Sequence, residues 1–294
     1  MPLEYDAKTL RSMFGRPILP TIGIASAEIP LEAQKLAGTL SISGVQPKLS
    51  MRLEGTRLVA VSRDGQFILK PEPAEFAELP QNEYLCMTMA RRFGLATAPC
   101  LLLELADGGL CYVVRRFDRF LKGRRVEKLL CEDMHQILGG PDKYAGSHEQ
   151  IAAALRTHCT FGPLELQRLF EVALFNFAIG NGDAHRKNFS LLTTDDGTVA
   201  LSPCYDIVSS RLALPAERDE LALALNGKRN RLKRRDFLAF AETCGVSPAF
   251  ASRRLAELLA LRGTFRELIA ASLLGAARRK RLLEILADRL ERLK

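Results

Sequence analysis

Stretches with strand periodicity and stretches with helical periodicity occupy different parts of this chain, and their order restricts the folds that it can adopt. Apolar residues alternate with a period of two in 49–53 and return in 58–61 after a turn at Glu54-Gly55. Helical spacing dominates much of 149–180 and all of 234–294. Strands followed by helices predict an α+β fold with two lobes, a β-rich N-terminal lobe and a helical C-terminal lobe. Ligands usually bind in clefts between such lobes.

The same patterns predict the individual elements. We expect hairpins at 49–53 with 58–61, at 100–105 with 110–114 and at 189–192 with 198–201. We also expect a strand at 67–70, which Pro71 ends, and helices at 82–93, 149–158 and 164–180. The helix at 164–180 is apolar around its circumference and is predicted to be buried. Residues 1–118 are assigned to the N-terminal lobe and residues 119–294 to the C-terminal lobe.

Composition and charge exclude several classes of protein. Of the 294 residues, 47% are hydrophobic and 26% are charged, which favours a folded core over global disorder. No run approaches the ~18 apolar residues of a membrane span, and residues 1–6 lack the pattern of a secretion signal. The seven cysteines form no C-x-x-C pair, which indicates reduced thiols in a cytoplasmic protein. A net charge of +8 is compatible with an anionic partner but identifies none.

Asp183 and Asn188 lie five positions apart in a polar run, Asn181-Gly182-Asp183-Ala184-His185-Arg186-Lys187-Asn188, between a predicted helix and a predicted hairpin. Phosphoryl transfer needs a carboxylate to orient the attacking hydroxyl and accept its proton, and an amide oxygen nearby to hold a metal ion. The spacing D-x-x-x-x-N is that of the catalytic loop of protein kinases. An Asx-rich turn that caps the next strand explains the same residues without any chemistry.

Asp206, Lys70 and Glu83 could belong to the same chemistry. Asp206 follows the last predicted hairpin and could bind Mg²⁺ as the aspartate of D-F-G does, although here only the position matches. Lys70 ends an apolar strand, where a lysine is costly to bury without an anion such as a nucleotide phosphate, and Glu83 could pair with it. The alternatives are a turn or helix cap for Asp206 and a solvent-directed side chain for Lys70. For Glu83 we favour an exposed position in the first turn of its helix.

A segment of small residues precedes the first hairpin, Ser41-Ile42-Ser43-Gly44-Val45-Gln46-Pro47-Lys48. Such a segment can bring backbone N–H groups against phosphates. It matches neither G-x-G-x-x-G nor a Walker motif, so by shape alone an ordinary turn is favoured. A phosphate loop, a strand lysine, D-x-x-x-x-N and a metal-binding aspartate nevertheless follow one another in the chain order of a kinase. Because separate explanations for all of these features are improbable together, we favour the kinase interpretation.

Five segments resemble the HipA-like serine/threonine kinases, the toxins of bacterial toxin–antitoxin modules. They are S-I-S-G-V-Q-P-K at 41–48, Phe67–Pro71, V-V-R-R-F-D-R at 113–119, N-G-D-A-H-R-K-N-F at 181–189 and Tyr205-Asp206. The resemblance spans roughly residues 39–290 and implies a two-lobed protein-kinase-like fold, with a phosphate loop at 41–48 and a catalytic loop at 181–189. With about forty residues before the phosphate loop and two serines in it, the chain resembles HipT, the short kinase of three-gene HipBST modules.

The resemblance also implies a role for each matched residue. Asp183 would be the catalytic base, and Asn188 and Asp206 would bind Mg²⁺. The residues that would contact ATP are Ser43, Gly44, Val45, Gln46, Lys48, Lys70, Arg115, Arg116, Phe117, His185, Lys187, Asn188, Tyr205 and Asp206. Backbone groups of 115–117 would face the adenine, and Asp118 and Glu83 would have structural roles. Ser41 and Ser43 match the loop serines that such kinases autophosphorylate, and the added negative charge would repel ATP and inhibit the enzyme.

Known members of the family phosphorylate aminoacyl-tRNA synthetases. The expected activity is therefore Mg·ATP-dependent phosphorylation of such an enzyme, which would inhibit translation and growth. The expected partners are a HipB-like DNA-binding antitoxin and a HipS-like small protein, with DNA contacted only through the antitoxin. Nothing in these residues identifies the target, and the sequence contains no A-P-E element of the kind that forms the substrate platform of ordinary protein kinases.

Other functions fit part of the sequence. Gly182-Asp183 to Asn188 also matches the G-D-x-x-x-x-N of aminoglycoside and choline kinases, which act on small molecules, but S-x-x-G-x-Q-x-K and R-F-D-R argue against this. A catalytically silent regulatory subunit of an antitoxin–DNA complex is another possibility, and the intact set of Lys70, Asp183, Asn188 and Asp206 argues against it. A metallophosphoesterase would need further His and Asp clusters.

Overall fold

The computed structural model of the protein describes residues 3–37, 47–123 and 125–294 and, for Ala37, the backbone alone. Of the predicted phosphate loop, Pro47 and Lys48 fall within these ranges. The other six residues of the predicted loop, 41–46, lie outside the described residues; they include the predicted site residues Ser41, Ser43, Gly44, Val45 and Gln46. The chain divides into two compact units, Met1–Tyr84 with Ala98–Lys128 and Leu85–Thr97 with Leu129–Lys294.

The first unit is built around a mainly antiparallel sheet. The sheet strands are β1 (Thr21–Ile22), β2 (Leu49–Glu54), β3 (Arg57–Ala60), β4 (Phe67–Pro71), β5 (Cys100–Glu104) and β6 (Leu110–Arg115). Across the described ranges they run in the order β1-β3-β2-β4-β6-β5, and β1 and β3 are the parallel neighbours. A separate hairpin pairs β7 (Arg119–Lys122) with β8 (Arg125–Lys128). The helices are α1 (Ala7–Phe14), the 3₁₀ helix Ser26–Glu28, α2 (Ile29–Ala37) and α3 (Leu79–Phe93), which continues into the second unit.

Alternation along the strands directs one face of this sheet into a core. Leu49 and Met51 of β2 and Leu69 of β4 are almost completely inaccessible and belong to one apolar cluster, to which α1 also contributes Met13. Because successive side chains of a strand point to opposite faces, Lys70 projects from the face of β4 opposite to Leu69. The apolar pattern of β4 therefore fixes the side of the sheet on which Lys70 lies.

The second unit is mainly helical. Its helices are α4 (Met134–Leu138), α5 (His148–His158), α6 (Gly162–Ile179), the 3₁₀ helix Arg186–Asn188, α7 (Ser210–Ala213), α8 (Arg234–Thr243), α9 (Pro248–Ala260), α10 (Arg262–Ala271) and α11 (Ala276–Arg292). Strands β9 (Leu130–Asp133), β10 (Ser190–Thr193) and β11 (Val199–Leu201) form an antiparallel sheet in the order β11-β10-β9. Within the described ranges, no helix has both the length and the apolar character needed to cross a membrane.

Helix α6 is buried on nearly every side, as its composition predicts. Leu169, Phe170, Phe175 and Phe177 are completely inaccessible. The helix starts with Pro163 in its first turn and ends at Gly180, which has the left-handed φ of 71° that favours glycine at this position. A helix that is fixed along its length in this way gives the polar loop that follows it a defined starting point.

The strand and helix pattern of the sequence is confirmed for most elements. The hairpins β2–β3, β5–β6 and β10–β11 and the helices α3, α5 and α6 occupy the predicted regions, with ends that differ by a few residues. Helices α1 and α2 and strand β9 were not predicted. Strand β9 is a four-residue segment, Leu-Cys-Glu-Asp, without apolar alternation, and it is a strand because its backbone pairs with β10.

A cluster of charges ties α11 to the segment that precedes α8. Arg292 donates to Glu220 through two nitrogens, at 2.6 and 2.8 Å, and Arg289 forms a further ion pair with the same carboxylate. The guanidinium groups of Arg289 and Arg292 also lie over the Phe177 ring, at 4.9 and 5.2 Å from its centroid. Burial by itself raises the pKa of Glu220, but the bonds from the two arginines outweigh it and lower the pKa to about 2.

This cluster predicts a pH-dependent contribution to stability. The pKa of Glu220 falls from 4.5 in the unfolded chain to about 2 in the folded protein. The ionised carboxylate therefore contributes its full free energy of stabilisation above the unfolded pKa, and this contribution is lost as the pH falls through the folded pKa. We expect the wild type to lose roughly 2 kcal/mol more than Glu220→Gln between about pH 5 and about pH 2, measured by urea unfolding. Glu267→Gln, an exposed position on α10, is the control. An equal loss in wild type and Glu220→Gln would contradict the prediction.

Candidate active site

A buried pair of asparagines sets the path of the loop that follows α6. The Asn181 N–H donates to the Asn176 carbonyl at 2.8 Å, and its Nδ2 donates to the Asn176 Oδ1 at 3.0 Å. The Asn181 Oδ1 in turn accepts a hydrogen bond from the Asp183 N–H at 3.2 Å. The two asparagines are buried, so these bonds are shielded from water. The chain is therefore held on both sides of Gly182, immediately before Asp183.

Gly182 occupies a position that no larger residue could fill. A Cβ at this position would lie 2.6 Å from the Asp219 carbonyl oxygen and 2.8 Å from the Glu217 Cδ. The Gly182 N–H donates to the Ser210 Oγ at 2.7 Å, and this hydroxyl donates to the Glu217 Oε2 at 2.5 Å. Burial raises the pKa of Glu217, the bond from Ser210 opposes this, and the charge of Asp183 raises the pKa further. The loop thus packs against the acidic segment 217–219, and the carboxylate of Glu217 interacts electrostatically with Asp183.

Asp183 and Asn188 stand at opposite ends of one short turn. Asp183 is exposed, and its Oδ1 accepts a hydrogen bond from the Tyr144 hydroxyl at 2.7 Å. The His185 N–H donates to the Asp183 carbonyl at 2.8 Å and to the Asn188 Oδ1 at 3.0 Å. The Asn188 N–H returns a bond to the His185 carbonyl at 2.9 Å. The spacing D-x-x-x-x-N therefore corresponds to a closed turn, in which the amide of Asn188 is oriented and the carboxylate of Asp183 faces solvent.

His185 is buried beneath this turn. Its ring meets the Tyr144 ring edge to face, with centroids 5.1 Å apart. Burial lowers the pKa of His185, the charge of Asp183 opposes this, and Lys143 lowers the pKa further. The imidazole is therefore mainly neutral at neutral pH. Within the described part of the chain its buried Nδ1 has no hydrogen-bond partner.

The structure brings Asp206 to the same pocket as Asn188. Apolar residues such as Leu201 form much of its lining, and its polar residues are Asn176, Asn181, Asn188, Ser202, Tyr205 and Asp206. The Tyr205 hydroxyl donates to the Lys187 carbonyl at 2.7 Å and shares a 2.6 Å hydrogen bond with the Ser190 hydroxyl. Asp206 itself has the left-handed φ of 53°, a conformation that is costly for a non-glycine residue and is frequent at functional sites.

Lys70 and Glu83 form a buried ion pair in the first unit. The Lys70 Nζ lies 2.8 Å from the Glu83 Oε1 and 3.1 Å from its Oε2, and the two side chains are 12% and 3% exposed. The same Nζ lies 5.5 Å from the centroid of the Tyr112 ring. The preference for an exposed Glu83 was therefore wrong. Helix α3 begins at Leu79, so Glu83 lies beyond its first turn, where the carboxylate meets the strand lysine instead of water.

The connection at 115–119 is organised by Asp118. Its two carboxylate oxygens accept hydrogen bonds from the Arg116 Nε and Nη2 at 2.9 and 2.7 Å, and Arg119 donates to Oδ2 at 2.5 Å. Burial raises the pKa of Asp118, but these two arginines outweigh it, and the net pKa is lowered. The N–H groups of Arg115 and Arg116 donate to the carbonyls of Pro99 and Gln66 at 2.8 Å. Two N–H groups of the segment expected to face adenine therefore already have protein acceptors.

The other predicted ATP contacts are two lysines. Lys48 and Lys187 are both exposed, Lys48 just before β2 and Lys187 inside the turn between Asp183 and Asn188. Their side chains are accessible to an anionic ligand. Their assignment to ATP stays a prediction, as does that of Phe117 in the 115–119 connection.

Two residues of the site were missed by the sequence analysis. Tyr144 contacts Asp183 from the segment between α4 and α5, and its separation of 39 positions gave no pattern from which to predict it. Arg186 lies inside the catalytic-loop motif but is buried, where it donates to the Gly139 carbonyl at 2.9 Å and to the Gln150 Oε1 at 3.0 Å. The sequence analysis gave Arg186 no role of its own, whereas in the structure it fastens the segment at 139–150 to the turn.

Residues 40–263 match the model of the HipA-like C-terminal domain family. The chain belongs to this family. A HipA-like relative named "Putative kinase" in Haemophilus influenzae is 28% identical over 244 residues, which cover 74% of this chain and 71% of that protein. The "Serine/threonine-protein kinase toxin HipA" of Shewanella oneidensis is 28% identical over 218 residues, which cover 67% of this chain and 49% of that protein. The chain thus spans about half the length of the HipA toxin that it matches.

A solved structure confirms the predicted HipA-like, kinase-like fold class. The HipA of Shewanella oneidensis, from a toxin–antitoxin complex of HipA, HipB and operator DNA, matches with a TM-score of 0.71 at 23% sequence identity. The match covers 86% of this chain and 64% of that chain. At this level of identity the likeness concerns the fold alone.

Proposed function

We propose that this protein is a Mg·ATP-dependent serine/threonine protein kinase and the toxin of a toxin–antitoxin module. The observation that carries the proposal is the turn Asp183–Asn188, which presents an exposed carboxylate at one end and an oriented amide at the other, with Asp206 lining the same pocket as Asn188. Membership of the HipA-like family, whose relatives carry kinase names, supports it.

In this proposal Asp183 orients the hydroxyl of a serine or threonine and accepts its proton. The Oδ1 of Asp183 is engaged by Tyr144, so the proton would be taken by Oδ2, for which the described residues offer no hydrogen-bond partner. The hydroxyl oxygen attacks the γ-phosphorus of ATP, the bond from that phosphorus to the bridging oxygen breaks, and ADP leaves. Asp183 therefore acts by orienting the hydroxyl and by receiving its proton as the new bond to phosphorus forms.

Asn188 and Asp206 would hold Mg²⁺. Asn188 and Asp206 line one pocket, and an amide oxygen and a carboxylate are donors that Mg²⁺ takes from proteins, with phosphate oxygens and water as its other ligands. The ion, when bound, would neutralise the charge of the transferring phosphoryl group. Lys70 would hold the nucleotide phosphates, and we assign Lys48, Lys187, His185, Tyr205, the 43–46 segment and the 115–117 backbone to ATP as well.

The cellular role is proposed at a coarser level. A HipB-like antitoxin is the expected partner, because the matching HipA structure is a complex with HipB and operator DNA. We extend this to a HipS-like small protein, to an aminoacyl-tRNA synthetase as substrate and to the cytoplasm as the place of action. The support for these extensions is the sequence resemblance to HipT and other HipA-like kinases.

The proposal predicts self-modification at the phosphate loop. The phosphatase-treated protein is incubated with Mg·ATP, and its intact mass and phosphosites are determined. We expect the gain of at least one phosphate, on Ser41 or Ser43, and no gain in the Ser41→Ala/Ser43→Ala double variant. A phosphate adds a charge of about −1.5 to −2, which would weaken ATP binding to the modified protein.

Two outcomes would count against this proposal. If the wild type binds ATP but gains no phosphate, autophosphorylation is rejected. If, in addition, the protein phosphorylates an aminoglycoside or choline from a panel of small molecules, a small-molecule phosphotransferase replaces the protein kinase.

A further inference from the structure

Tyr144 makes the one side-chain hydrogen bond that the described residues give to the carboxylate of Asp183. Its hydroxyl donates to Oδ1 at 2.7 Å, within the second unit. The phenol ring is half-buried, and both burial and the charge of Asp183 raise its pKa, so the hydroxyl keeps its proton and remains a donor. Hydrogen bonds from a neutral donor to an ionised acceptor are among the stronger ones in proteins.

The backbone around Tyr144 is fastened on several sides. The Tyr144 N–H donates to the Asp142 Oδ1 at 2.9 Å, and the Tyr144 carbonyl accepts from the Arg229 Nη2 at 2.7 Å. One residue earlier, the Lys143 carbonyl accepts from the Arg186 N–H at 3.1 Å. Because Arg186 belongs to the same turn as Asp183, the segment that carries Tyr144 is tied directly to the loop that carries the carboxylate.

The ring of Tyr144 is also held in place. It meets the buried His185 ring edge to face, with the two centroids 5.1 Å apart, and the Lys143 Nζ lies over the Tyr144 ring, 4.9 Å from its centroid. Two residues later the backbone turns at Gly146, whose left-handed φ of 101° favours glycine. The hydroxyl of Tyr144 is therefore a fixed point against which a neighbouring group can be oriented.

We infer that Tyr144 is a positioning residue, which holds Oδ1 of Asp183 and thereby directs Oδ2 to the substrate hydroxyl. The torsion that rotates a carboxylate is soft, so an exposed aspartate without such a contact would sample many orientations. A general base acts only when the proton it accepts is within hydrogen-bond reach. This inference rests on the proposed function, because it assigns Tyr144 a role in phosphoryl transfer by Asp183.

Tyr144→Phe tests the role, since it keeps the ring that packs on His185 and removes the hydroxyl alone. We expect kcat for phosphorylation to fall by about tenfold, the effect of losing one hydrogen bond to a charged group, while KM for ATP stays within about twofold. The control is Tyr5→Phe, which removes a hydroxyl that donates to the Leu102 carbonyl at 3.0 Å in the other unit. We expect this control to keep the wild-type kcat.

A comparison in two backgrounds separates positioning from a merely structural effect. A positioning role acts only through the carboxylate of Asp183, so it should disappear when that carboxylate is replaced by an amide. In an Asp183→Asn background, Tyr144→Phe should cause no further loss of the residual rate.

The outcomes distinguish this inference from the function on which it rests. A wild type that transfers no phosphate refutes the proposed kinase and the positioning role together. An active wild type with an unchanged kcat in Tyr144→Phe overturns the positioning role alone. A further fall of the residual rate when Tyr144→Phe is added to Asp183→Asn, with a loss of stability in urea unfolding, also overturns it and leaves Tyr144 as a structural residue.

Discussion

Asp183→Ala is expected to lower the rate of phosphoryl transfer by about 10²–10⁴-fold, the usual contribution of a general base. The side chain is exposed, and its loss leaves the buried asparagine pair and the turn to Asn188 in place. The free energy of unfolding should therefore change by less than about 1 kcal/mol. Single-turnover transfer from labelled ATP to the protein measures the rate, and urea unfolding measures the stability.

The matched control is Asp195→Ala. Asp195 is an exposed aspartate of the same unit, in the turn between β10 and β11, and it should keep the wild-type rate. Titration calorimetry of Mg·ATP binding to Asp183→Ala tests whether the substitution removes phosphoryl transfer and leaves nucleotide binding intact. We expect an affinity for Mg·ATP within a few-fold of wild type. An Asp183→Ala protein that transfers phosphate at a rate within threefold of wild type would exclude Asp183 as the base.

Lys70→Met is expected to affect both stability and ATP binding. The substitution removes the positive charge that Glu83 meets at 2.8 Å in a pair whose side chains are 12% and 3% exposed. Breaking a buried ion pair from one side typically costs about 3–5 kcal/mol, because the remaining charge is left in a poor environment. If Lys70 also holds the nucleotide phosphates, the affinity for ATP should fall roughly 30-fold or more.

The double variant Lys70→Met/Glu83→Met separates the two effects. Replacing both members of a buried pair by apolar residues is often neutral or stabilising, so most of the lost stability should return. ATP binding should not return, because the lysine is still absent. The control is Lys122→Met, which removes an exposed ion pair with Glu127 and should cost less than about 1 kcal/mol. Restored ATP binding in the double variant would show that Lys70 has a structural role only.

Sequence pattern was sufficient where a single side chain or a regular period carries the information. The apolar alternation of β2 and β4 predicted the hairpin and the strand that carries Lys70, and the uniformly apolar α6 predicted its own burial. The spacing of Asp183 and Asn188 predicted that the two residues share one loop, and the structure closes the segment between them into a short turn, whose catalytic role stays a prediction. Each of these features depends on residues close together in the sequence.

Features that depend on contacts between distant segments could not be predicted in this way. Glu83 was expected in solvent because the residues around it do not show that its carboxylate pairs with Lys70, a strand residue 13 positions earlier. Tyr144 and Arg186 contribute through contacts over 39 and 47 positions, which no local periodicity encodes. Strand β9 likewise depends on pairing with β10, so its own residues do not identify it.

The charge cluster on α11 bears on where this domain ends. The family match stops at residue 263, before the helix that supplies Arg289 and Arg292 to Glu220. Glu220 is close in sequence to Glu217 and Asp219, the residues against which Gly182 of the catalytic loop packs. A protein trimmed to the matched residues would therefore lose the anchor of the segment against which the proposed catalytic loop packs. The compact unit that contains this loop extends past residue 263 to Lys294.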